Sequence, residues 1–498
     1  MGDQPLLLGL DLGTSRLKAV LVDGEGIEVA TSAVATPFRP RGEQVDMEVE
    51  CLWDGLGRAI LGLGGARRQV TAVGVAGMAE SGTVLDAHGR ALAPVIAWHD
   101  PRGAGAVRAL EARFGDELSR RIGQRLRTVS SVAKLGWLVV HGVERVHRWL
   151  GVPELCVFAL TGAQFTDHSL AARTGCYDIT SRRWWPEVPE AIDVPATVLP
   201  EVAAAGAVLG RTSAAALGAA GLPTGLLPTG VPVTLAGHDH LAALAGSGAG
   251  PGDHGNSVGT AETVVAASDA LPDLDLALAR RVAVTVDPRG EGWVVLAGAA
   301  RAGRVLEVLS EALGAPPAEL DALAERAGTV DARALVDACA LVDGVARGGR
   351  PALPPAAPGA LWGGVLRALS ERTWDAVVRA GAVVGPASRL VVFGGGSRSR
   401  TWLAAKAQVG AEQAAGMPVW RSGAGEAAAR GAALFAGMAA GWWPTPDAAP
   451  APALEEVLVP PPVEAPTVPA GTGPRARSGR EADARGDGPD GRLQEGRP

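Results

Sequence analysis

Residues 6–18 read LLLGLDLGTSRLK. The apolar run predicts a buried strand over Leu6–Leu10, the residues Asp11–Ser15 predict a polar turn, and the apolar residues after the turn predict a second strand. A strand followed by a glycine-containing polar turn occurs again later in the chain, at Asn256–Thr260 and at Arg389–Ser397. The chain is therefore predicted to be an α/β protein in which one strand-and-turn theme is used in both halves.

Further elements are predicted outward from this stretch. Val70–Gly77 has the apolar character of another buried strand, and Asp46 is placed to cap a helix that carries Trp53. The region from about 104 to 160 is predicted to be mainly helical. A later apolar run, Pro232–Leu235, predicts a strand that leads into a polar segment.

The composition is that of an ordinary soluble globular protein. The chain has 498 residues, of which 47% are apolar and 20% charged, and this length is enough for two large domains. The formal net charge is −7 and no basic block is present, which argues against nucleic acid as a partner. From about Pro460 the chain is rich in Pro, Gly, Ala, Arg and Asp without periodicity, which predicts disorder.

The cysteines and the apolar runs bear on location. No two of the cysteines form a C-x-x-C pair, so neither a disulfide framework nor a thiolate zinc site is predicted, and a reducing cytoplasm is expected. These cysteines are Cys51, Cys156, Cys176 and Cys339. The alanine-rich runs are broken by Arg, Glu, Pro and Gly, so no membrane span is predicted.

The turn after the first strand is a candidate phosphate site. Gly13 lets the backbone approach an anion, and the hydroxyls of Thr14 and Ser15 can hydrogen-bond phosphate oxygens. Asp11 can hold Mg²⁺, usually through water, and Lys18 or Arg16 can offset charge on a transferred phosphate. The alternative is an ordinary hairpin turn in which the polar residues are only turn formers, and the turn alone leaves both interpretations open.

A carboxylate lies between a strand and a helix in Gly237-His238-Asp239-His240. Ligands bind at this end of a strand in α/β folds, and Asp239 could accept the proton of a hydroxyl that attacks phosphorus. Two other interpretations remain. Asp239 could cap the helix, or His238 and His240 could be metal ligands, although no third ligand is evident. Taken alone, the segment favours the helix cap.

Two later turns complete the set of candidate sites. Gly259 and Thr260 follow a strand and could cradle phosphate or form an ordinary turn. The glycines Gly394-Gly395-Gly396 follow another strand and permit either the close approach of a flat ring such as adenine or tight strand–helix packing. The order of the sites suits two lobes that close over a nucleotide: a phosphate turn, a carboxylate, a second phosphate turn and a glycine-rich strand end.

With the sites in this order, the sequence resembles the FGGY family of carbohydrate kinases over about residues 6–440. Several further stretches look like the family and lie in the family's order along the chain. They are Glu43-Gln44-Val45-Asp46, Ala97-Trp98-His99-Asp100-Pro101-Arg102, Lys134-Leu135-Gly136-Trp137-Leu138, Leu160-Thr161-Gly162, Ala172-Arg173-Thr174-Gly175, Gly237-His238-Asp239, Arg367-Ala368-Leu369-Ser370-Glu371 and Glu426 to Ala433. Their shared order, more than any one stretch, carries the resemblance.

The resemblance implies two ribonuclease-H-like lobes of the actin-like ATPase type around a nucleotide cleft. Residues 1–247 would carry the sugar site and the first phosphate turn, residues 248–445 would bind ATP, and residues 446–498 would form a largely disordered C-terminal segment. ATP and Mg²⁺ are the implied cofactors, with Asp239 as the base and Asp11 as the magnesium residue, through water. The residues implied at ATP and its phosphates are Asp11, Gly13, Thr14, Ser15, Lys18, Gly259, Thr260, Gly298, Gly395 and Gly396.

The substrate is less well indicated. Family members hold substrate hydroxyls at the strand end that here reads Gly77-Met78-Ala79-Glu80-Ser81. Glycerol kinases have an Arg-Glu pair at this point, whereas this chain keeps Glu80 and has Ala79 in place of the arginine; the Gln-Met-His of xylulokinases is also absent. Expected wall residues are Glu80, Trp98, Asp100 and His240. The alternatives for these four are a surface carboxylate, a core indole, a turn aspartate and a second helix-cap residue.

The expected function is transfer of the γ-phosphoryl group of ATP to a hydroxyl of a small-molecule sugar or polyol, with a ketose such as a pentulose favoured. Glycerol or a sugar acid remains an alternative within the family. Outside it, the alternatives are an ATPase of the actin or heat-shock-chaperone type, which needs no sugar, and a decayed kinase that only senses sugar. The oligomeric state is left open, a homodimer included.

Overall fold

Two mixed β-sheets, one in each half of the chain, form the framework of the computed structural model. The structure describes residues 4–328, 332–346, 353–413 and 416–459. Its strands are β1 (Leu6–Leu12), β2 (Arg16–Val22), β3 (Glu28–Ala35), β4 (Arg39–Arg41), β5 (Gln44–Met47), β6 (Val70–Gly77), β7 (Gly82–Leu85), β8 (Val95–Ile96), β9 (Arg148–Gly151), β10 (Phe165–Asp167), β11 (Tyr177–Asp178), β12 (Arg183–Trp184), β13 (Glu201–Ala203), β14 (Gly210–Arg211), β15 (Pro232–His238), β16 (His254–Val258), β17 (Glu262–Ser268), β18 (Ala283–Val286), β19 (Trp293–Ala300), β20 (Leu390–Phe393), β21 (Val419–Ser422) and β22 (Leu454–Glu456).

Helices cover these sheets. They are α1 (Val49–Leu61), α2 (Ala104–Phe114), α3 (Asp116–Arg121), α4 (Ser131–Val140), α5 (Val152–Thr161), α6 (His168–Arg173), α7 (Glu187–Glu190), α8 (Ala214–Ala219), α9 (Asp239–Gly246), α10 (Leu274–Ala279), α11 (Ala302–Leu313), α12 (Pro317–Ala327), α13 (Ala332–Ala346), α14 (Pro358–Val384), α15 (Arg400–Gln413) and α16 (Ala427–Ala439). Short 3₁₀ helices span Gly64–Gln69, Ala196–Val198, Gly395–Arg398 and Pro446–Ala448.

The first sheet has the strand order β14-β15-β6-β1-β2-β3 among the described residues. Its centre is parallel, β15 beside β6 and β6 beside β1, while β2 returns antiparallel to β1. All seven residues of β1 are buried, as expected for a central strand with both faces covered. The predicted strand at Val70–Gly77 is confirmed as β6. The first strand runs two residues past its predicted end, to Leu12, so Asp11 lies in the strand and not in the turn.

Helix α16 covers one face of the first sheet although it comes from the far end of the chain. The helix backbone touches the strands where these carry glycine: a Cβ on Gly9 would overlap the carbonyl oxygen of Ala429, and a Cβ on Gly74 would overlap that of Ala432. Glycine is needed at both positions because no side chain fits between strand and helix. Residues that we assigned to the second lobe therefore also pack on the first sheet.

The second sheet has the order β18-β19-β17-β16-β20-β21-β22 among the described residues. Its core is built with α14 and α15, whose indoles Trp362, Trp374 and Trp402 are among the largest fully buried side chains. The edge strand β22 lies in the first part of the segment expected to be largely disordered. Residues 446–459 are described, and within them β22 pairs antiparallel with β21. The rest of that segment, residues 460–498, lies outside the described residues.

A smaller sheet, β4-β5-β8-β7-β9, corrects the predicted start of the first helix. Asp46 does not cap α1, whose N-cap residue is Glu48. It lies in β5 opposite Ile96, and its side chain accepts a hydrogen bond from Arg102. The predicted helical region from 104 to 160 is confirmed as α2 to α5, interrupted by β9. Among the described residues, no helix combines the length and the apolar character that a bilayer crossing requires.

Candidate active site

The strand ends of the two large sheets meet at a cavity of about 450 Å³. Thirteen of the predicted site residues line it: Asp11, Gly13, Thr14, Ser15, Lys18, Glu80, Trp98, Asp239, His240, Gly259, Thr260, Gly298 and Gly395. A second cavity of about 540 Å³ shares four of these residues, Ser15, Gly259, Thr260 and Gly395, and adds Gly396. The two predicted phosphate turns face each other, with Ser15 Oγ 3.0 Å from Thr260 Oγ1.

The first phosphate turn is held from two sides. It is the tight connection between β1 and β2, in which the Gly13 N–H donates to the Arg16 carbonyl at 3.0 Å. The hydroxyl of Thr36 donates to the Gly13 carbonyl at 2.7 Å, and the Trp98 indole donates to Thr14 Oγ1 at 2.9 Å. The hairpin and phosphate interpretations of the sequence are therefore compatible, because a rigid hairpin turn points into the cavity.

Charged groups surround Asp11. The Lys18 ammonium lies 3.6 Å from Asp11 Oδ2 and 2.7 Å from Glu426 Oε2. Burial raises the pKa of Asp11 to about 7; Lys18 opposes this rise, while Asp239 and Glu426 add to it. Asp11 Oδ1 is buried and makes no hydrogen bond within the described residues. A buried oxygen without a donor, among several carboxylates, fits a hard cation such as Mg²⁺.

Asp239 is the first residue of α9, directly after β15. It is not the helix cap, because that position belongs to His238 and the Asp239 carboxylate accepts only from the next N–H, that of His240, at 2.7 Å. Burial alone would raise the pKa of Asp239, but His240, His238, the His240 N–H and Lys18 outweigh it and lower the pKa below its ordinary value. The half-buried carboxylate is therefore ionised at neutral pH and can accept a proton.

His238 and His240 flank this carboxylate. Burial lowers the pKa of His238 to about 3, so its imidazole is neutral, and its Nε2 lies 3.1 Å from Asp239 Oδ1. His240 Nδ1 lies 2.9 Å from Ser257 Oγ on β16. One ligand atom from each of His238, Asp239 and His240 lies within 4.8 Å of the other two. The third ligand that the sequence did not reveal is thus Asp239 itself, and the metal interpretation stays open alongside that of a base.

The substrate wall contains an arginine that the sequence pattern did not place there. Glu80 has a φ of +67°, unusual for a residue with a side chain, and its Oε1 accepts from Arg173 Nη2 at 2.5 Å. Arg173 Nη1 donates to Gln124 Oε1 at 2.6 Å. An arginine does pair with Glu80, but it comes from α6 and not from position 79.

Trp98 belongs to both parts of the site. Its backbone N–H donates to Ser81 Oγ at 2.8 Å, one residue from Glu80, while its indole reaches the phosphate turn. Asp100 is the exception among the predicted residues. It is fully buried, accepts from the Val45 N–H at 2.7 Å and from Arg102, and lines neither of the two cavities formed by described residues. Asp100 is a turn aspartate whose oxygens are already bonded within the protein.

The glycine turn after β20 combines both predicted uses of glycine. Gly394 has a φ of +93°, and a Cβ on Gly396 would overlap Val258, so these two serve conformation and packing. Gly395 and Gly298 instead face open space, with no atom within 4 Å of where a Cβ would be. The adjoining second cavity has the buried indole of Trp402 in its wall. Open backbone beside an aromatic wall suits a flat ring.

Sequence reasoning missed several residues that line the first cavity: Gln124, Arg127, Val129, Arg173 and Glu426. Arg173 and Glu426 lie in stretches on which the resemblance rests, but no local pattern assigned them a role at the site. Nothing in the sequence around Gln124 distinguishes it from a surface residue.

Comparison with known proteins gives matches to sugar and polyol kinases. Residues 6–246 match the N-terminal domain of the FGGY family of carbohydrate kinases. An L-fuculokinase from Escherichia coli (strain K12) is 30% identical over 290 residues, 53% of this chain and 57% of that protein. A glycerol kinase from Aromatoleum aromaticum is 29% identical over 482 residues, 88% of this chain and 90% of that protein. The chain thus spans little more than half the length of the fuculokinases that it matches.

A xylulose kinase from Rhodospirillum rubrum has a similar structure, with a TM-score of 0.72 at 24% identity over 92% of this chain and 94% of that chain. Likeness at this identity establishes the fold alone, and it confirms the predicted α/β architecture of two ribonuclease-H-like, actin-like ATPase lobes. Together with the collinear stretches of sequence, the family match gives the assignment: residues 6–246 belong to the FGGY family of carbohydrate kinases, as its N-terminal domain.

Proposed function

We propose that this protein is an ATP-dependent carbohydrate kinase that transfers the γ-phosphoryl group to a hydroxyl of a small-molecule sugar or polyol. The observation that carries the proposal is the shared cavity: Asp239 lies in one space with both phosphate turns and with Glu80. A carboxylate held between a phosphate site and a hydroxyl-binding wall is what direct phosphoryl transfer requires.

Asp239 acts as the general base. As the acceptor oxygen forms its bond to the γ-phosphorus, the bond to the β-phosphate oxygen breaks, ADP leaves and the hydroxyl proton passes to the Asp239 carboxylate. Thr14 and Ser15 from one turn and Gly259 and Thr260 from the other hold the phosphates between them. Gly395, Gly396 and Gly298 lie beside adenosine.

Asp11 holds Mg²⁺, through water, and its unbonded buried oxygen supports this assignment. The bound ion supplies charge neutralisation at the phosphates. Lys18 adds a positive charge on the same side, 2.7 Å from Glu426 and 3.6 Å from Asp11, so its ammonium is already oriented before nucleotide binds.

The acceptor wall favours a neutral polyhydroxylated substrate. Glu80 and Arg173 form a buried pair whose charges cancel, so the wall offers hydrogen-bond acceptors and donors without a net charge. A ketose such as a pentulose fits this description, and glycerol is a smaller molecule of the same class. A sugar acid is the second candidate, because the exposed Arg127 at the cavity could pair with its carboxylate.

The test is ADP release from the purified protein with Mg-ATP and a panel of polyols, ketoses and sugar acids. We expect at least one acceptor to stimulate release, and we expect Asp239→Asn to lower that rate by about 10² to 10⁴ because the proton acceptor is lost. Asp273→Asn is the control, since Asp273 directly precedes a helix, α10, as its N-cap and lines neither cavity.

Two outcomes would count against the proposal. If no acceptor stimulates the wild-type protein above Asp239→Asn, the protein is not a kinase of this kind. If ATP hydrolysis proceeds without sugar and survives Asp239→Asn, the ATPase alternative is correct.

A further inference from the structure

We propose that helix α6 positions the two halves of the acceptor site relative to each other: Ser169 at its start fixes the segment that carries Asp239, and Arg173 at its end fixes Glu80. The inference rests on the proposed function, since it assigns positioning roles for the same reaction. Neither residue would contact a reacting atom; each acts through the residue that it holds.

The start of α6 is bonded to the backbone beside the base. Asp167 caps the helix by accepting the N–H groups of Ser169 and Leu170 at 2.8 and 3.2 Å. The Ser169 hydroxyl donates to Asp167 at 2.6 Å and accepts the N–H of His238 at 3.0 Å. Because the single hydroxyl proton goes to Asp167, a lone pair of Ser169 is directed at His238, the residue before Asp239.

This contact lies beside an irregular part of the sheet. The parallel pairing of β15 with β6 shifts register between Leu235 and Gly237 and then continues to His238, where the strand ends. Irregularities of this kind loosen the ladder and re-aim the residues that follow. Gly237 has a φ of +88°, and a Cβ there would lie 2.5 Å from Ser169 Oγ. The backbone that leads to Asp239 therefore lies directly on Ser169, whose hydroxyl adds a hydrogen bond to the end of the strand.

The end of α6 is bonded to the acceptor wall. Arg173 is 9% exposed and spans Glu80 and Gln124 with its two terminal nitrogens, at 2.5 and 2.6 Å. Glu80 has a left-handed backbone in a short turn closed by the Ser81 N–H and the Ala79 carbonyl, at 2.8 Å. A strained residue with a buried charge needs a fixed partner to keep one orientation, and Arg173 provides it.

The two bonds are linked by one turn of helix. Ser169 and Arg173 are four residues apart, so they lie on the same face of α6, about 6 Å apart along its axis. In the proposed reaction, Glu80 holds hydroxyls of the acceptor and Asp239 takes the proton of one of them. A displacement of about 1 Å between the two groups would slow the transfer strongly. A short helix that holds both groups in place would therefore keep the transfer rate high.

The test distinguishes the roles of the two ends of the helix. Steady-state kinetics are measured at saturating Mg-ATP with the best acceptor of the panel. For Ser169→Ala we expect kcat to fall about 10- to 100-fold with the acceptor KM within about threefold, because only the base is misplaced. For Arg173→Gln we expect the acceptor KM to rise about tenfold or more with kcat within about threefold, because hydroxyl binding is weakened.

Conservative variants test which feature of each side chain matters. Ser169→Thr keeps the hydroxyl and should return kcat to within about threefold of wild type. Arg173→Lys keeps the charge but cannot bridge Glu80 and Gln124 together, so its KM should stay raised. If Ser169→Ala or Arg173→Gln does not fold, Ser169→Cys and Arg173→Lys provide the same kcat and KM comparisons.

Matched controls lie outside the cavities. Ser213→Ala removes a serine that caps α8, and Arg389→Gln removes an arginine paired with Asp253 at 2.9 and 3.0 Å. Both should lower the melting temperature without changing kcat or KM. The inference is wrong if the α6 variants behave like these controls, or if each changes kcat and KM together. If wild type shows no acceptor-dependent activity, the proposed function itself fails and the inference falls with it.

Discussion

At the scale of single residues, Asp11 shows how burial and charge bear on the proposed cation site. The carboxyl group lies at the end of a fully buried strand, and its environment raises the pKa to about 7 from an ordinary value of 3.8. A protonated carboxyl binds a divalent cation poorly, so if Asp11 holds Mg²⁺ as we propose, protons and Mg²⁺ compete for it in the physiological range. Lys18 orients the site but cannot neutralise it, because Glu426 engages the same ammonium.

The first prediction concerns this competition. The Mg²⁺ concentration that gives half-maximal activity should rise as the pH falls from about 8 to about 6, by about tenfold for each unit below the pKa of Asp11. It is measured by magnesium titrations of ADP release at fixed ATP. Asp11→Asn provides the baseline, since it keeps the titration of ATP itself and loses that of the carboxyl. Parallel pH dependences in the two proteins would show that Asp11 does not bind the ion.

At the scale of secondary structure, α16 links the proposed nucleotide site to the packing of the first sheet. The helix lies against α9 as closely as backbones allow: a Cβ on Gly431 would overlap the Ala242 carbonyl oxygen, and a Cβ on Gly246 would overlap that of Ala427. Residue Glu426, directly before the helix, pairs with Lys18 at the cavity. The position of α16 on the sheet therefore sets the position of a charge at the phosphate site.

The second prediction follows from this packing. Gly431→Ala should lower the free energy of unfolding by about 1 to 3 kcal/mol, because the added methyl group forces two helices apart. The ATP KM should rise with it, because Glu426 moves. Gly218→Ala in α8 is the control: a Cβ there meets nothing within 4 Å, so alanine should stabilise the protein by up to about 1 kcal/mol. Urea denaturation measures the stability of both variants. If Gly431→Ala is as stable as the wild-type protein, the close approach of α16 and α9 is contradicted.

At the scale of the whole molecule, the two phosphate turns belong to different sheets and touch across the cavity. Ser15 Oγ and Thr260 Oγ1 are 3.0 Å apart. If the phosphates of ATP lie between these turns, the turns must separate when nucleotide enters. The division into lobes at residues 247 and 248 stays a prediction, as do a cytoplasmic location and a homodimer.

The third prediction uses that contact. The double variant Ser15→Cys, Thr260→Cys should form a disulfide under mild oxidation, because side-chain atoms at hydrogen-bond distance are near the geometry of that bond. The oxidised protein should bind ATP at least about tenfold more weakly, and a reductant should restore binding. Calorimetry with ATP measures this, and the two single variants should not respond to reductant. Equal ATP affinity in oxidised and reduced double variants would show that the turns need not part.

The sequence by itself determined the local features. The strands β1, β6 and β20 are mainly apolar runs followed by glycine or polar residues, and such runs need no distant partner to be recognised. The order of the phosphate turns and Asp239 was also readable, because each turn follows its own strand. The cap at Asp46 was wrong because a capping pattern is local, whereas β5 pairs with a strand about 50 residues away.

Only the tertiary structure determined which side chains form the proposed acceptor wall and which partners they have. Glu80 and Arg173 are 93 residues apart in the chain, and their hydrogen bond exists because α6 packs against β15, the neighbour of β6 in the first sheet. Asp100 and Glu80 look alike in the sequence, yet Asp100 has its oxygens bonded to Val45 and Arg102 while Glu80 faces the cavity. Hydrogen bonds between distant segments leave no periodic trace in either segment, so the partner of a buried charge is fixed by the fold.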